Sequence, residues 1–284
     1  MRELRWGERT YVMGILNLTP DSFSGDGLAP EGRPLADVIA AASARAAGQV
    51  AAGADILDVG AESSRPAQFY GEHPRPTPEA EATLAVPVVE ALVAAHGDGT
   101  MVSIDTTRGS VARAALAAGA TLVNDVWAGR DDPATVMAAS DAGAYLVLMH
   151  NRERADYTGS VFDEVVAWLR AAVDEALAAG VARERIIVDP GIGFGKTPNH
   201  SVELLHRLGE LKAALGGFPL MVGTSRKRVI GELLGRAPPE RRLEGTLASV
   251  ALAVAGGADI VRVHDVAEAV PAVRVADGIA RWHP

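Results

Sequence analysis

Eight short apolar runs rich in β-branched residues, each followed by a longer stretch of helical periodicity, constrain this chain more than any other feature. The runs are Tyr11 to Leu18, Ile56 to Val59, Met101 to Ile104, Thr121 to Val123, Tyr145 to Met149, Arg185 to Val188, Pro219 to Val222 and Ile260 to Val263. Between them the spacing predicts helices over Leu35 to Ala51, Pro78 to Ala95, Ser110 to Ala117, Pro133 to Ala139, Val161 to Ala179, Val202 to Lys212, Leu243 to Ala255 and Ala267 to Arg281. An uninterrupted alternation with eight strands favours a closed (β/α)8 TIM barrel over an open doubly wound sheet. No Gly-x-Gly-x-x-Gly follows the first run, which weighs against a dinucleotide-binding fold. At four helix-to-strand joins, Ala52-Gly53-Ala54, Ala118-Gly119-Ala120, Ala142-Gly143-Ala144 and Gly256-Gly257-Ala258 put a glycine where a left-handed cap is wanted. One repeating unit without a linker implies that residues 1–284 form a single domain.

Composition narrows the function. The chain has 284 residues, 48% of them hydrophobic, enough for one substantial core. It contains no cysteine, which excludes disulfides, a thiolate nucleophile and thiolate zinc sites. A formal net charge of -9 argues against a nucleic-acid or membrane-surface partner. Screening beyond about 8 Å leaves room for a local arginine cluster to bind a small anion. No apolar run approaches the roughly 18 residues of a membrane span, and the first ten residues lack a signal-peptide core. A soluble cytoplasmic protein is expected.

Chemistry is expected at the carboxyl ends of the strands, where barrel active sites form. The long segments Thr19 to Pro34 and Gly60 to Thr77 follow strands there, as binding loops or lids do. Asp189-Pro190-Gly191-Ile192-Gly193-Phe194-Gly195-Lys196 begins where an apolar run ends, so its carboxylate must find donors. Its glycines serve either a turn needing positive φ or the close approach of a flat ligand. A phosphate-cradling P-loop is disfavoured, because Pro190 stands where that motif needs glycine and removes a donor.

Other polar residues stand at or just past the ends of the runs: Asn17, Glu62 to Arg65, Asp105, Asn124 with Asp125, His150, Lys227, and Arg262 with His264. One such residue is ordinarily a satisfied strand terminus, but nearly every strand carrying one makes a polar bowl. Asp105, Asn124, Asp189 and Lys227 could pair with both donor and acceptor edges of a flat heterocycle. Arg65, Arg262 and His264, with the Asn17 amide, resemble an anion site. Asp105 could instead cap a helix, and Lys227 could belong to a solvated basic run. His264 has no second histidine at a metal-binding spacing.

These residues fall within motifs that resemble the dihydropteroate synthases, a pterin-binding family targeted by sulfonamides. The resemblance covers essentially the whole chain and rests on Asn17-Leu18-Thr19-Pro20-Asp21-Ser22-Phe23-Ser24, Glu62-Ser63-Ser64-Arg65-Pro66, Ser103-Ile104-Asp105-Thr106, Val123-Asn124-Asp125-Val126, the Asp189 to Lys196 stretch, Gly223-Thr224-Ser225-Arg226-Lys227 and Arg262-Val263-His264-Asp265-Val266. It implies a barrel enzyme that joins 4-aminobenzoate to 6-hydroxymethyl-7,8-dihydropterin diphosphate, releasing diphosphate with the help of Mg2+. Asp105, Asn124, Asp189 and Lys227 would hold the pterin, and Arg262 would stack on it and reach phosphate. Asn17 would bind the Mg2+ diphosphate unit, with Arg65 and His264 on the anion. Ser64, Pro66, Phe194 and Ser225 would line the aminobenzoate pocket, and Asp21 and Phe23 would belong to a closing lid. Catalytic weight would fall on Asp189, Lys227, Arg262 and Asp105, in a homodimer.

The chain departs from the family pattern at Gly25 and Asp26, at Ala67-Gln68 and at Asn151. Two rivals follow: a catalytically silent pterin-binding homologue, and a methyltetrahydrofolate-binding methyltransferase domain, which would leave the arginine cluster without a purpose.

Overall fold

The computed structural model describes residues 3–19, 27–30, 32–62 and 75–282. Eight parallel strands, β1 (Tyr11–Asn17), β2 (Ile56–Gly60), β3 (Met101–Asp105), β4 (Leu122–Asp125), β5 (Tyr145–Met149), β6 (Ile186–Asp189), β7 (Met221–Val222) and β8 (Ile260–Val263), alternate with helices. Hydrogen bonding runs in the order β6-β5-β4-β3-β2-β1-β8-β7. A parallel bridge between Val188 and Leu220 closes the ring. The fold is the expected (β/α)8 barrel.

The helices are α1 (Leu35–Ala52), α2 (Pro78–His96), α3 (Gly109–Ala117), α4 (Ala134–Ala142), α5 (Val161–Ala178), α6 (Pro198–His206), α7 (Leu208–Ala214), α8 (Arg228–Leu233), α9 (Leu243–Ala255) and α10 (Val266–Ala280). The expected Val202 to Lys212 helix is two helices, and it starts earlier than its apolar pattern suggests. Thr197 caps α6 by accepting from His200 N, the His200 side chain returns the bond, and Pro198 occupies the first turn. Helix α8 was not anticipated, being a single short segment after Lys227. All four join glycines have positive φ: Gly53 at 104°, Gly119 at 101°, Gly143 at 59° and Gly257 at 92°.

Strand pleat sorts the side chains into two cores. Val12, Leu16, Leu57, Val59, Val102, Ile104, Val123, Leu146, Val188, Val261 and Val263 face outward and are buried against the helix ring. Met13, Ile56, Met101, Leu122, Val147, Ile187, Met221 and Ile260 belong to a separate inner cluster that fills the barrel. Trp6 seals its lower end, packing edge-on against Tyr11 and Tyr145 with ring centroids 6.0 Å apart in each pair. No helix among the described residues is long and apolar enough to cross a membrane.

Candidate active site

Two residues beyond each member of that inner cluster, one layer nearer the carboxyl end, stand Ile15, Asp58, Ser103, Asn124, Met149, Asp189, Gly223 and Arg262. Period two carries each of them to the inner face. The barrel filling thus changes from apolar to polar within one layer, and the polar members are bound into a network. Asp58, fully buried, accepts from Ser103 Oγ at 2.6 Å, Asn124 Nδ2 at 3.0 Å and Arg262 Nε at 2.7 Å. Arg262 Nη2 donates to Asp105 at 2.7 Å, so one guanidinium bridges two carboxylates. Buried ions need such pairing, since each alone carries a large desolvation cost.

Above this layer lies a cleft bordered by Ile15, Asn124, Val126, Met149, Asp189, Phe194, Met221, Gly223, Ser225, Lys227, Arg262 and His264. It encloses about 50 Å3, and about 420 Å3 when its open mouth is counted. Asn124 Oδ1 is buried without a hydrogen-bond partner, while Nδ2 donates to Asp58. That leaves an acceptor requiring a donor from a ligand or from water.

Asp189 accepts from Gly191 N at 2.7 Å, and burial raises its pKa against the pull of Lys227. Lys227 donates to Ile192 O at 2.7 Å and lies 4.7 Å from the Phe194 ring centroid. Burial pushes Lys227 down to about 8, with Asp189 opposing. Burial likewise lifts Asp105 to about 7, against the pull of Arg262. His264 Nδ1 lies 2.9 Å from Ser225 Oγ, which also accepts from His264 N at 3.2 Å.

Asn124, Asp189, Lys227, Arg262, Phe194, Ser225 and His264 therefore converge on one cleft, as expected. Asp105 is not among the residues bordering it; it is tied to the cleft by Arg262 Nη2, and its charge also acts on Lys227. It caps no helix either, since α3 begins at Gly109, whose N–H goes to Asp132 at 2.7 Å. Asn17 ends β1 in the rim layer, two residues past Ile15. Lys227 is no part of a solvated run: it stands at the start of α8 with its side chain in the cleft. Asp21, Phe23, Ser64, Arg65 and Pro66 lie outside the described residues.

The glycines of the Asp189 loop divide between the two roles open to them. Gly191 and Gly195 have φ of 66° and 53°, and a Cβ there would stand 1.9 Å from His150 O and 2.2 Å from Arg152 O. Their close approach is to the backbone after β5, so for these two the turn reading holds. Only Gly193 turns toward the site, with Lys227 at 3.4 Å from a Cβ built there.

Sequence reasoning did not single out Asp58, Lys196 or Arg75. Asp58 was hidden inside an apolar run, although an acid within a buried parallel strand is itself a signal. Lys196 is 2% exposed, its Nζ lying 2.8 Å from His150 Nδ1 and donating to Phe194 O at 2.9 Å. Burial lowers His150 to about 2, so it is a neutral ring holding the loop rather than a titrating group. Glu62 and Arg75, on either side of residues 63–74, are ion-paired, and Arg75 also donates to Asp131 at 2.6 Å. Among the described residues no cluster of three His, Asp or Glu is arranged to hold a metal. Asp125 faces outward, accepting from Trp127 N, Gly129 N and Thr135 Oγ1 at 2.8, 2.8 and 2.6 Å.

Residues 13–264 match the model of the pterin binding enzyme family. A dihydropteroate synthase from Synechocystis is 44% identical, the match covering 97% of this chain and 92% of that protein. A Clostridium difficile dihydropteroate synthase solved in the presence of pteroic acid superposes with a TM-score of 0.88 at 40% identity, covering 98% and 99% of the two chains. An inactive dihydropteroate synthase 2 from Mycobacterium tuberculosis is 41% identical over 92% of this chain and 80% of that protein. The chain therefore belongs to the pterin-binding enzyme family, among the dihydropteroate synthases.

Proposed function

We propose that this protein joins 6-hydroxymethyl-7,8-dihydropterin diphosphate to 4-aminobenzoate, giving 7,8-dihydropteroate and diphosphate. The observation that carries the proposal is the unpartnered Oδ1 of Asn124, a residue that borders the same cleft as Asp189, Lys227 and Arg262. A pterin edge offers donors to two acceptors and acceptors to one ammonium, which is the pattern these groups present.

Asn124 Oδ1 and the Asp189 carboxylate take the ring's amino and N–H donors, and Lys227 donates to a ring acceptor. Arg262, held by Asp58 and Asp105, lies against the ring and reaches the phosphates. The bond from the exocyclic methylene to the diphosphate oxygen breaks, and the bonding pair leaves with the diphosphate. Positive charge on the methylene spreads into the electron-rich ring, where Asp189 stabilises it. The arylamine nitrogen then forms the new C–N bond and releases a proton. Phe194 and Ser225 border the approach of the arylamine. No nucleophilic side chain is required.

Mg2+ fits as a companion of the substrate. It would be held by Asn17, at the carboxyl end of β1, beside the substrate phosphates, whose oxygens would supply further ligands. Its contribution is to neutralise charge on the departing diphosphate. Arg65 and His264 would share that task. Asp21 and Phe23 would form the lid, and Ser64 and Pro66 would complete the aminobenzoate pocket.

The same reading makes the protein a cytoplasmic homodimer. Leu252 on α9 and Val275 and Ile279 on α10 leave apolar side chains 71%, 64% and 75% exposed on two adjacent helices. Light scattering should give twice the 29.5 kDa chain mass, and a monomer mass would reject the dimer.

Incubation with both substrates and Mg2+ should release dihydropteroate and diphosphate in equal amounts. Pterin binding without product would identify a silent homologue, the reading favoured by the inactive relative. Activity that requires a corrinoid would indicate the methyltransferase.

A further inference from the structure

Thr224 to Lys227 form a β-turn closed by Lys227 N donating to Thr224 O at 3.1 Å. Arg226, in its third position, has φ of +57°. That conformation normally selects glycine or asparagine, because a Cβ is strained there. A second local rule is broken nearby. Asp265 occupies the N-cap of α10, where aspartate usually accepts from the helix backbone, yet its side chain makes no cap bond. The carboxylate goes instead to Arg226, with Nε to Oδ2 at 3.0 Å and Nη2 to Oδ1 at 2.5 Å. This is a bidentate pair of the strongest kind.

The Arg226 backbone is fixed as well. Its N–H donates to Thr246 Oγ1 at 3.1 Å, and its carbonyl accepts from Arg242 Nη1 at 2.8 Å. The strained residue is thus held through N–H, carbonyl and guanidinium together. Its chain neighbours are Ser225 and Lys227, which both border the cleft. Ser225 is joined to His264 and Arg226 to Asp265, so two consecutive rungs tie the end of β7 to the end of β8.

We infer that Arg226 and Asp265 are positioning residues, an ion-pair clamp that holds the turn in its left-handed form so that Ser225 and Lys227 meet the substrates together. The inference rests on the proposed synthase reaction. The guanidinium is directed to Asp265. Strain kept at a site and offset by neighbouring bonds is a recurring functional arrangement.

The test compares Arg226→Ala, Arg226→Gly and Asp265→Asn with the wild type, reading kcat, both KM values, pterin affinity by calorimetry and the melting temperature. Arg226→Ala keeps the strain without the clamp, and kcat/KM should fall on the order of 100-fold, as misplacement of a reacting group does. Asp265→Asn should fall in the same direction. Arg226→Gly loses the clamp but adopts positive φ freely, and should recover roughly tenfold relative to Arg226→Ala, in pterin affinity as well as in turnover. Equal impairment of the alanine and glycine variants would overturn the inference, pointing to direct contact of Arg226 with substrate. Lowered melting temperatures with unchanged kcat/KM would overturn it too, leaving a structural ion pair. Wild type that binds pterin without turnover would defeat the synthase reading alone, and the affinity comparison would still judge the clamp.

Discussion

Replacing Asp58 by asparagine separates its charge from its hydrogen bonds. Oδ2 accepts from Asn124 Nδ2 and Arg262 Nε, and Oδ1 accepts from Ser103 Oγ. With the amide oxygen at the Oδ2 position, asparagine keeps the first two bonds. Its NH2 then faces Ser103, whose hydroxyl can rotate to accept. All three contacts survive, and the loss is that of one buried counter-charge to Arg262. Breaking a buried pair costs about 3–5 kcal/mol. Here Asp105 stays on Arg262 Nη2 at 2.7 Å, so the cost should fall to about 2–3 kcal/mol. Asp58→Ala leaves three donors without an acceptor at about 1–3 kcal/mol each and should exceed 5 kcal/mol. In melting temperature the asparagine variant should lose about 5–10 °C. Denaturant midpoints with unchanged slope would give the free energies. Equal losses for the two variants would refute the rotation argument. An alanine variant losing under about 1 kcal/mol would refute the network itself.

The remaining predictions concern other parts of the site. Gly191→Ala, strained at φ of 66° and placing Cβ 1.9 Å from His150 O, should destabilise by about 3 kcal/mol in chemical unfolding. Because burial sets Lys227 near 8, its ammonium is lost as pH rises past that value. The plot of kcat/KM against pH should therefore descend above about pH 8, and a flat profile to pH 10 would contradict a role for the charge. Thr197→Ala removes the cap of α6, costing about 1 kcal/mol by thermal melting. Asn124→Leu removes both an unpartnered acceptor on a residue bordering the cleft and a donor to Asp58, and pterin affinity measured by fluorescence quenching should fall at least tenfold.

The barrel was legible because its strands are buried on both faces and its helices on one, so the two periodicities punctuate the chain. The site was legible where a polar residue ends an apolar run, as at Asn124 and Asp189. It was obscured where the polar residue lies inside the run. Asp58 shares the inward phase of Ile56, yet its partner Arg262 is 204 residues away, a distance no local pattern bridges. The Arg226 pair with Asp265 was invisible for the same reason. The link of Asp105 to Arg262, 157 residues away, was equally invisible to any local pattern. Gly191 and Gly195 announced a close approach without saying to what, and the answer was the neighbouring loop's carbonyls.

A pterin titrated calorimetrically into wild type and Asp189→Asn tests the central claim, that the polar layer seats a flat donor-bearing ring. Wild type should bind with one site per chain, and the variant should lose on the order of 100-fold in affinity, because an amide donor then faces ring donors in a buried site. Equal affinities for the two proteins, each folded, would mean that the ring is held elsewhere.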